Sequence, residues 1–241
     1  MKFSTKAGTL ALLKGKLRAA HIASLTWFTV NEWNTDRKGC IKKVKSGMKE
    51  SGPWIVRSSC HREDGSEASN AGAFLSLSDI KTSNLENAIE KVIASYGSPD
   101  PGDEILIQPM LKNVLRSGVA LSHDPNTCAP YRVINWTEGS DTNAVTGGLG
   151  GRTWQQAALS DVPCSPIFEG VLVLLDELLA LFGDLPVDCE FAITEEKKSN
   201  VLWLLQARPL ILSHKPETPD AQAARLRCIQ NKINDGMQPH P

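Results

Sequence analysis

Val187-Asp188-Cys189-Glu190-Phe191 and Leu205-Gln206-Ala207-Arg208-Pro209 hold the residues best suited to chemistry. A polar turn, Glu195-Glu196-Lys197-Lys198-Ser199-Asn200, separates these two apolar, strand-like runs. Side chains alternate faces along a strand. Asp188 and Glu190 therefore share a face, as do Gln206 and Arg208. If the strands pair as a hairpin, about 5 Å apart, the four groups form one cluster. Two carboxylates, an amide and a guanidinium on a half-buried sheet are costly unless something binds them. A divalent metal with a polyphosphate would satisfy all four.

Other segments must position this cluster. Pro53-Trp54-Ile55-Val56 reads as a strand running into Arg57-Ser58-Ser59, and a polar, glycine-bearing loop follows from Cys60 to Asn70. Arginine binds phosphate oxygens as a fork, and backbone N–H groups around Gly72 could cradle the same anion. A surface salt bridge from Arg57 to Glu63 or Asp64 is the equal alternative. Gly147-Gly148-Leu149-Gly150-Gly151-Arg152-Thr153 lacks the lysine of a phosphate loop and reads as a flexible connection or lid. His123, followed by Asp124, reads as a turn residue after a strand rather than a phosphoryl acceptor or base.

Apolar spacing predicts a helix from Lys6 to about Ala20 and a strand over Leu25–Val30. A basic helix face follows, carrying Arg37, Lys38, Lys42, Lys43, Lys45 and Lys49. Ser83 and Glu86 predict a capping box for a helix with the stripe Leu85, Ile89, Val92, Ile93, Tyr96, closed by Gly97. Ser98-Pro99-Asp100-Pro101-Gly102 marks a subdomain break. Strands are expected at 104–108, 118–121 and 131–134, a buried helix at 170–182, and a short helix at 221–233. The expected units are 1–103, 104–213 with the hairpin, and a linker-like or docking tail, 214–241. Irregular interleaving of strands and helices favours an α+β fold.

The 241 residues carry a net charge of −1, giving no global pull toward nucleic acid or a membrane surface. No apolar run reaches the roughly 18 residues of a membrane span. Lys14, Lys16 and Arg18 interrupt any secretion signal. The six cysteines are scattered without a CxxC pair, which suits a reducing, cytoplasmic setting.

An ordered set of motifs resembles the ATP-binding domain of the phosphoenolpyruvate synthase and pyruvate phosphate dikinase family. Ile55-Val56-Arg57-Ser58-Ser59, Glu63-Asp64 and Ala71-Gly72-Ala73-Phe74 resemble its Val-Arg-Ser-Ser…Glu-Asp…Ala-Gly pattern. Ile107-Gln108-Pro109-Met110 resembles Val-Gln-x-Met. Ser117-Gly118-Val119-Ala120 with Asp124-Pro125 resembles Ser-Gly-Val-Ala-Phe-Thr-x-Asp-Pro. Asp188-x-Glu190 and Leu205-Gln206-Ala207-Arg208-Pro209 resemble the closing Asp-x-Glu and Leu-Gln-x-Arg-Pro.

The resemblance implies an ATP-grasp fold, two α+β subdomains with ATP between them. It implies Lys6 near the phosphates and Arg57 on the phosphate being transferred, beside the possible phosphate cradle around Gly72. Backbone at Gln108, Met110 and Leu111 would hold adenine. Glu190 and Gln206 would ligate Mg²⁺ with Asp188 close by, and Arg208 would grip the phosphates. Such roles suit phosphoryl transfer, where catalysis is positioning and charge neutralisation. The family's Gly-Gly before the lysine is Ser4-Thr5 here, and His123 is not its phospho-histidine. Its phospho-histidine domain and substrate barrel are absent from these residues. The expected acceptor is therefore a histidine on another domain or protein. A small-molecule kinase and a non-catalytic nucleotide-sensing or assembly module are the alternatives.

Overall fold

The computed structural model describes residues 1–48, 52–60, 74–139 and 151–237. Two antiparallel sheets organise them. The first contains β1 (Thr26–Thr29), β2 (Trp54–Ser59), β3 (Ser76–Ile80) and β4 (Glu104–Pro109), in the order β1-β4-β2-β3. The second contains β5 (Val114–Leu121), β6 (Tyr131–Glu138), β7 (Arg152–Ala157), β8 (Val187–Glu196) and β9 (Ser199–Pro209), in the order β7-β6-β5-β8-β9. The helices are α1 (Lys6–Leu13), α2 (Val30–Thr35), α3 (Arg37–Gly47), α4 (Leu85–Ser95), α5 (Glu169–Phe182) and α6 (Pro219–Gly236). The fold is α+β, as the irregular interleaving of elements implies.

Alternation gives the first sheet two unlike faces. Phe28, Trp54, Val56, Ile105 and Ile107 turn to one side and are buried with Leu85, Ile89 and Val92 of α4 and Val44 of α3. Full burial of each such side chain contributes about 1.5–3 kcal/mol. The register pairs Ile55 with Gln108, Arg57 with Leu106, and Ser59 with Glu104. Directly paired residues share a face, so Arg57, Gln108, Ser59 and Glu104 all look away from the helices. β4 lies between β1 and β2, so this sheet draws strands from both sides of the 103/104 boundary read from the sequence.

In the second sheet Ala120, Ile134, Cys189 and Phe191 are buried with Val171, Leu174 and Leu178 of α5. Ala7, Leu10 and Leu13 of α1 join the same core, and Phe3 stacks on Phe182 with ring centroids 3.7 Å apart. The first helix therefore packs with the second sheet's core.

Several local expectations change. The first helix stops at Leu13 rather than Ala20, because Gly15 takes a left-handed φ of 78°. Residues Thr82–Asn84 form a 3-10 turn before α4, and Asn84 occupies its N-cap without a side-chain bond, so the Ser83/Glu86 box does not form. Gly97 does follow the helix, at φ 71°. A capping box forms at α2, where Glu32 Oε2 accepts from Thr29 N at 2.7 Å and Glu32 N donates to Thr29 Oγ1 at 3.1 Å. This box ends β1 at Thr29 instead of Val30. β3 and β7, both edge strands, lie outside the strands expected from the sequence; an edge strand needs only one paired side and little apolar alternation. The basic stretch is the largely exposed helix α3. The tail is docked at its start, where Glu217 N donates to Cys128 O at 3.1 Å.

Candidate functional site

β8 and β9 pair with Asp188 opposite Arg208 and Glu190 opposite Gln206. The cluster read from the sequence therefore forms. Arg208 donates from Nε and Nη2 to Asp188 Oδ2 at 2.9 and 2.7 Å. Burial pushes the Asp188 carboxyl upward; the Arg208 charge and hydrogen bond pull it back, and Glu190 adds a smaller upward push. The register slips by one residue beyond Glu190, where Phe191 pairs with Leu204 and leaves Leu205 as a β-bulge.

Arg57 reaches this hairpin from the other sheet. Its Nη1 donates to the Leu205 carbonyl at 3.0 Å, and its Nη2 donates to Glu190 Oε2 at 3.1 Å and Gln206 Oε1 at 3.2 Å. The Arg57 side chain is 10% exposed and that of Glu190 24%. Arg57 Nε is buried and makes no hydrogen bond among the described residues. Of the two readings open for Arg57, the salt bridge within its own loop falls on Glu63 and Asp64, which lie outside the described residues. The contact that Arg57 makes is with the carboxylate hairpin.

Lys6 is buried in the first turn of α1, and the turn itself is firmly tied. Gly8 N donates to Thr5 Oγ1 at 3.1 Å, and Ala7 N donates to Ser59 Oγ at 2.9 Å. Both hydroxyls donate in turn to Glu104 Oε2, at 2.5 and 3.2 Å. Thr5 is thus the N-cap that ties α1 to Glu104 at the start of β4, while Ala7 N ties the same turn to the end of β2. Lys6 is brought beside Ser59, two residues beyond Arg57. Glu104, absent from the sequence-based set, is the carboxylate organising this junction; its place opposite Ser59 was not readable before the register was known.

Gln108 is buried on the Arg57 face of β4. Met110, just beyond, donates its N–H to Pro53 O at 3.0 Å, and its sulfur accepts from Asp79 N at 2.8 Å. Leu111 follows and is partly buried. The Met110 N–H is therefore engaged within the protein. Gly72 and residues 140–150 of the glycine-rich region lie outside the described residues.

His123 follows β5 and is buried. Burial, then the nearby Arg132 charge, lowers its pKa to about 4. Val187 N donates to Ser122 Oγ at 2.8 Å, and the same oxygen lies 3.0 Å from His123 Nδ1. The ring is therefore neutral at pH 7. Its neighbours, Asp124 and Thr127, close a turn.

The donor set fits a hard divalent ion. Glu190 Oε2 and Gln206 Oε1 already converge on one cationic nitrogen, and Mg²⁺ favours one or two protein oxygens with phosphate and water completing the shell. No group of three or more His, Cys, Asp and Glu side chains is arranged to hold a metal among the described residues. Among those residues, no helix is long and apolar enough to cross a membrane.

No protein-family model matches the sequence, and no curated protein matches it. Solved structures do. PH1788 from Pyrococcus horikoshii is similar at 14% identity and a TM-score of 0.50, over 88% of this chain and 90% of that one. D-Alanine-D-alanine ligase from Helicobacter pylori is 14% identical with a TM-score of 0.49, over 85% of this chain and 53% of that one. ATP citrate lyase from Methanothrix soehngenii is 12% identical with a TM-score of 0.47, over 95% of this chain and 60% of that one. The likeness to PH1788 is one of fold. The chain spans about half the length of the Helicobacter ligase.

Proposed function

We propose that this chain is an ATP-grasp domain that binds ATP and Mg²⁺ for a dikinase-like phosphotransferase. The phosphoryl acceptor is a histidine on another domain or protein. The observation that carries this reading is the meeting of Arg57, from the first sheet, with Glu190 and Gln206 on the second. A phosphate-binding fork and two metal-type oxygens converge across the seam between two sheets, where an ATP-grasp fold holds its nucleotide. The ordered motifs of the sequence support the same assignment.

Each residue then has a physical task. Glu190 and Gln206 would hold Mg²⁺, which when bound neutralises polyphosphate charge. Arg57 grips the phosphate being transferred through its fork, and Arg208, oriented by Asp188, supplies further positive charge beside it. Lys6 adds a cation from the α1 turn held by Glu104. Gln108 and the chain through Met110 and Leu111 border the end of the seam where a base would lie.

Isothermal titration with Mg-ATP tests the site, comparing wild type with Glu190→Ala and Arg57→Ala. A clear binding heat in the wild type, reduced in both variants, is the expected result. Equal heats in all three proteins would sink the assignment.

A further inference from the structure

Three oxygen acceptors converge on the Arg57 guanidinium: Glu190 Oε2, Gln206 Oε1 and the Leu205 carbonyl. The first two are the oxygens that the proposed function gives to Mg²⁺. The third is presented by the bulge, since Leu205 is the residue skipped by the β8–β9 register. This is an oxygen-lined cation position, and a protein cation fills it.

We infer that Arg57 is the resident cation of the metal site, and that a divalent ion enters only after a nucleotide polyphosphate draws the guanidinium away. The inference rests on the proposed ATP and Mg²⁺ reading and adds an order of binding to it. A guanidinium and a divalent ion cannot share Glu190 Oε2 at hydrogen-bond distance without strong like-charge repulsion in a shielded site. Metal alone must therefore displace Arg57 from three acceptors and leave its charge unpaired. A polyphosphate changes the exchange. Its oxygens accept the fork in charge-assisted hydrogen bonds, and Nε, which has no hydrogen-bond partner among the described residues, offers one donor more. Glu190 and Gln206 are then released to the ion. Coupling of this kind is reciprocal: metal strengthens nucleotide binding by the factor by which nucleotide strengthens metal binding.

The test uses the whole chain and Mn²⁺ as the probe. Free Mn²⁺ is followed by electron paramagnetic resonance as protein is added without nucleotide. Wild type should leave the signal nearly unchanged, whereas Arg57→Met should bind one ion about 100-fold more tightly, a factor within the range of allosteric coupling. Arg57→Gln, which keeps a polar group for the Leu205 carbonyl, should behave like Arg57→Met and serves if the methionine variant does not fold. Adding Glu190→Gln to either variant should abolish the new binding. Tight binding of one Mn²⁺ by the wild type without nucleotide overturns the inference, and that measurement needs no variant. Absence of Mn²⁺ binding in folded Arg57 variants overturns it as well. The Mg-ATP titration separates the two failures. Heats that still depend on Glu190 confine the failure to the order of binding, and heats indifferent to Glu190 remove the site reading too.

Discussion

Replacing Arg208 with alanine strands a carboxylate. The Asp188 side chain is 10% exposed, and Arg208 gives its Oδ2 two hydrogen bonds, at 2.9 and 2.7 Å. Removing one partner of a buried ion pair costs about 3–5 kcal/mol. Arg208 is itself 20% exposed, so water reaches part of the pair and a figure discounted below that range, about 2–3 kcal/mol at pH 8, is expected. Protonation offers Asp188 an escape. Burial already raises its pKa, and Arg208 is the main influence opposing that rise, so the variant raises it further. An acid with a folded pKa above its unfolded value contributes stability below the unfolded pKa and loses it as pH rises through the folded one. The deficit of Arg208→Ala should therefore be small near pH 4 and full at pH 8. Urea unfolding at both pH values, with m held equal, measures it. Arg208→Ala/Asp188→Asn should recover most of the loss. A deficit under about 0.5 kcal/mol at pH 8, the range of ordinary surface changes, would refute the reasoning. So would a double variant as unstable as the single one.

Three further outcomes follow from local geometry. A Cβ at Gly118 would sit 2.2 Å from Asn135 O and 2.9 Å from Trp136 Cα, both backbone atoms of β6, so Gly118→Ala should lower stability by about 3 kcal/mol, read from the urea midpoint. Thr29→Ala should cost about 1 kcal/mol by opening the α2 capping box, while Asn84→Ala, at a cap without a side-chain bond, should change the thermal midpoint very little. His123 has a folded pKa lowered from 6.5 to about 4, so its contribution is full above pH 6.5 and is lost as pH falls toward 4. The difference between wild-type and His123→Gln stability curves should show that slope, at most about 3 kcal/mol across the window, and the His123 ring resonances should not titrate between pH 8 and 5.5.

The hairpin quartet was legible because strand alternation is a local rule, and Asp188, Glu190, Gln206 and Arg208 obey it on the stretch where they stand. The partner of Arg57 was not. Its bond to Leu205 joins residues 148 apart, and nothing in the local pattern says which strand end a guanidinium will meet. Glu104 was hidden for the same reason: its task depends on facing Ser59 across two strands and on α1 arriving from elsewhere. At α4 the sequence held a plausible cap, Ser83 with Glu86, but the chain entered through a 3-10 turn that moved the N-cap to Asn84. Thr29-x-x-Glu32 carries the same signal, masked by the strand-like run that surrounds it.

Leu205 also governs how β9 can change over time. Strict alternation would place Leu202, Leu204, Gln206 and Arg208 on one side. The extra residue switches the parity of the strand once, so Leu204 meets Phe191 in the core while Gln206 meets Glu190 in the seam. Chain length is therefore the guarded quantity at this point. Deleting one residue there would rotate half of the strand through its own thickness, exposing Leu202 and Leu204 or driving Gln206 and Arg208 into the apolar layer. No nearby point substitution would repair both halves. The Lys197–Lys198 turn lies outside this constraint, so length changes at the tip leave the phase of the working end untouched.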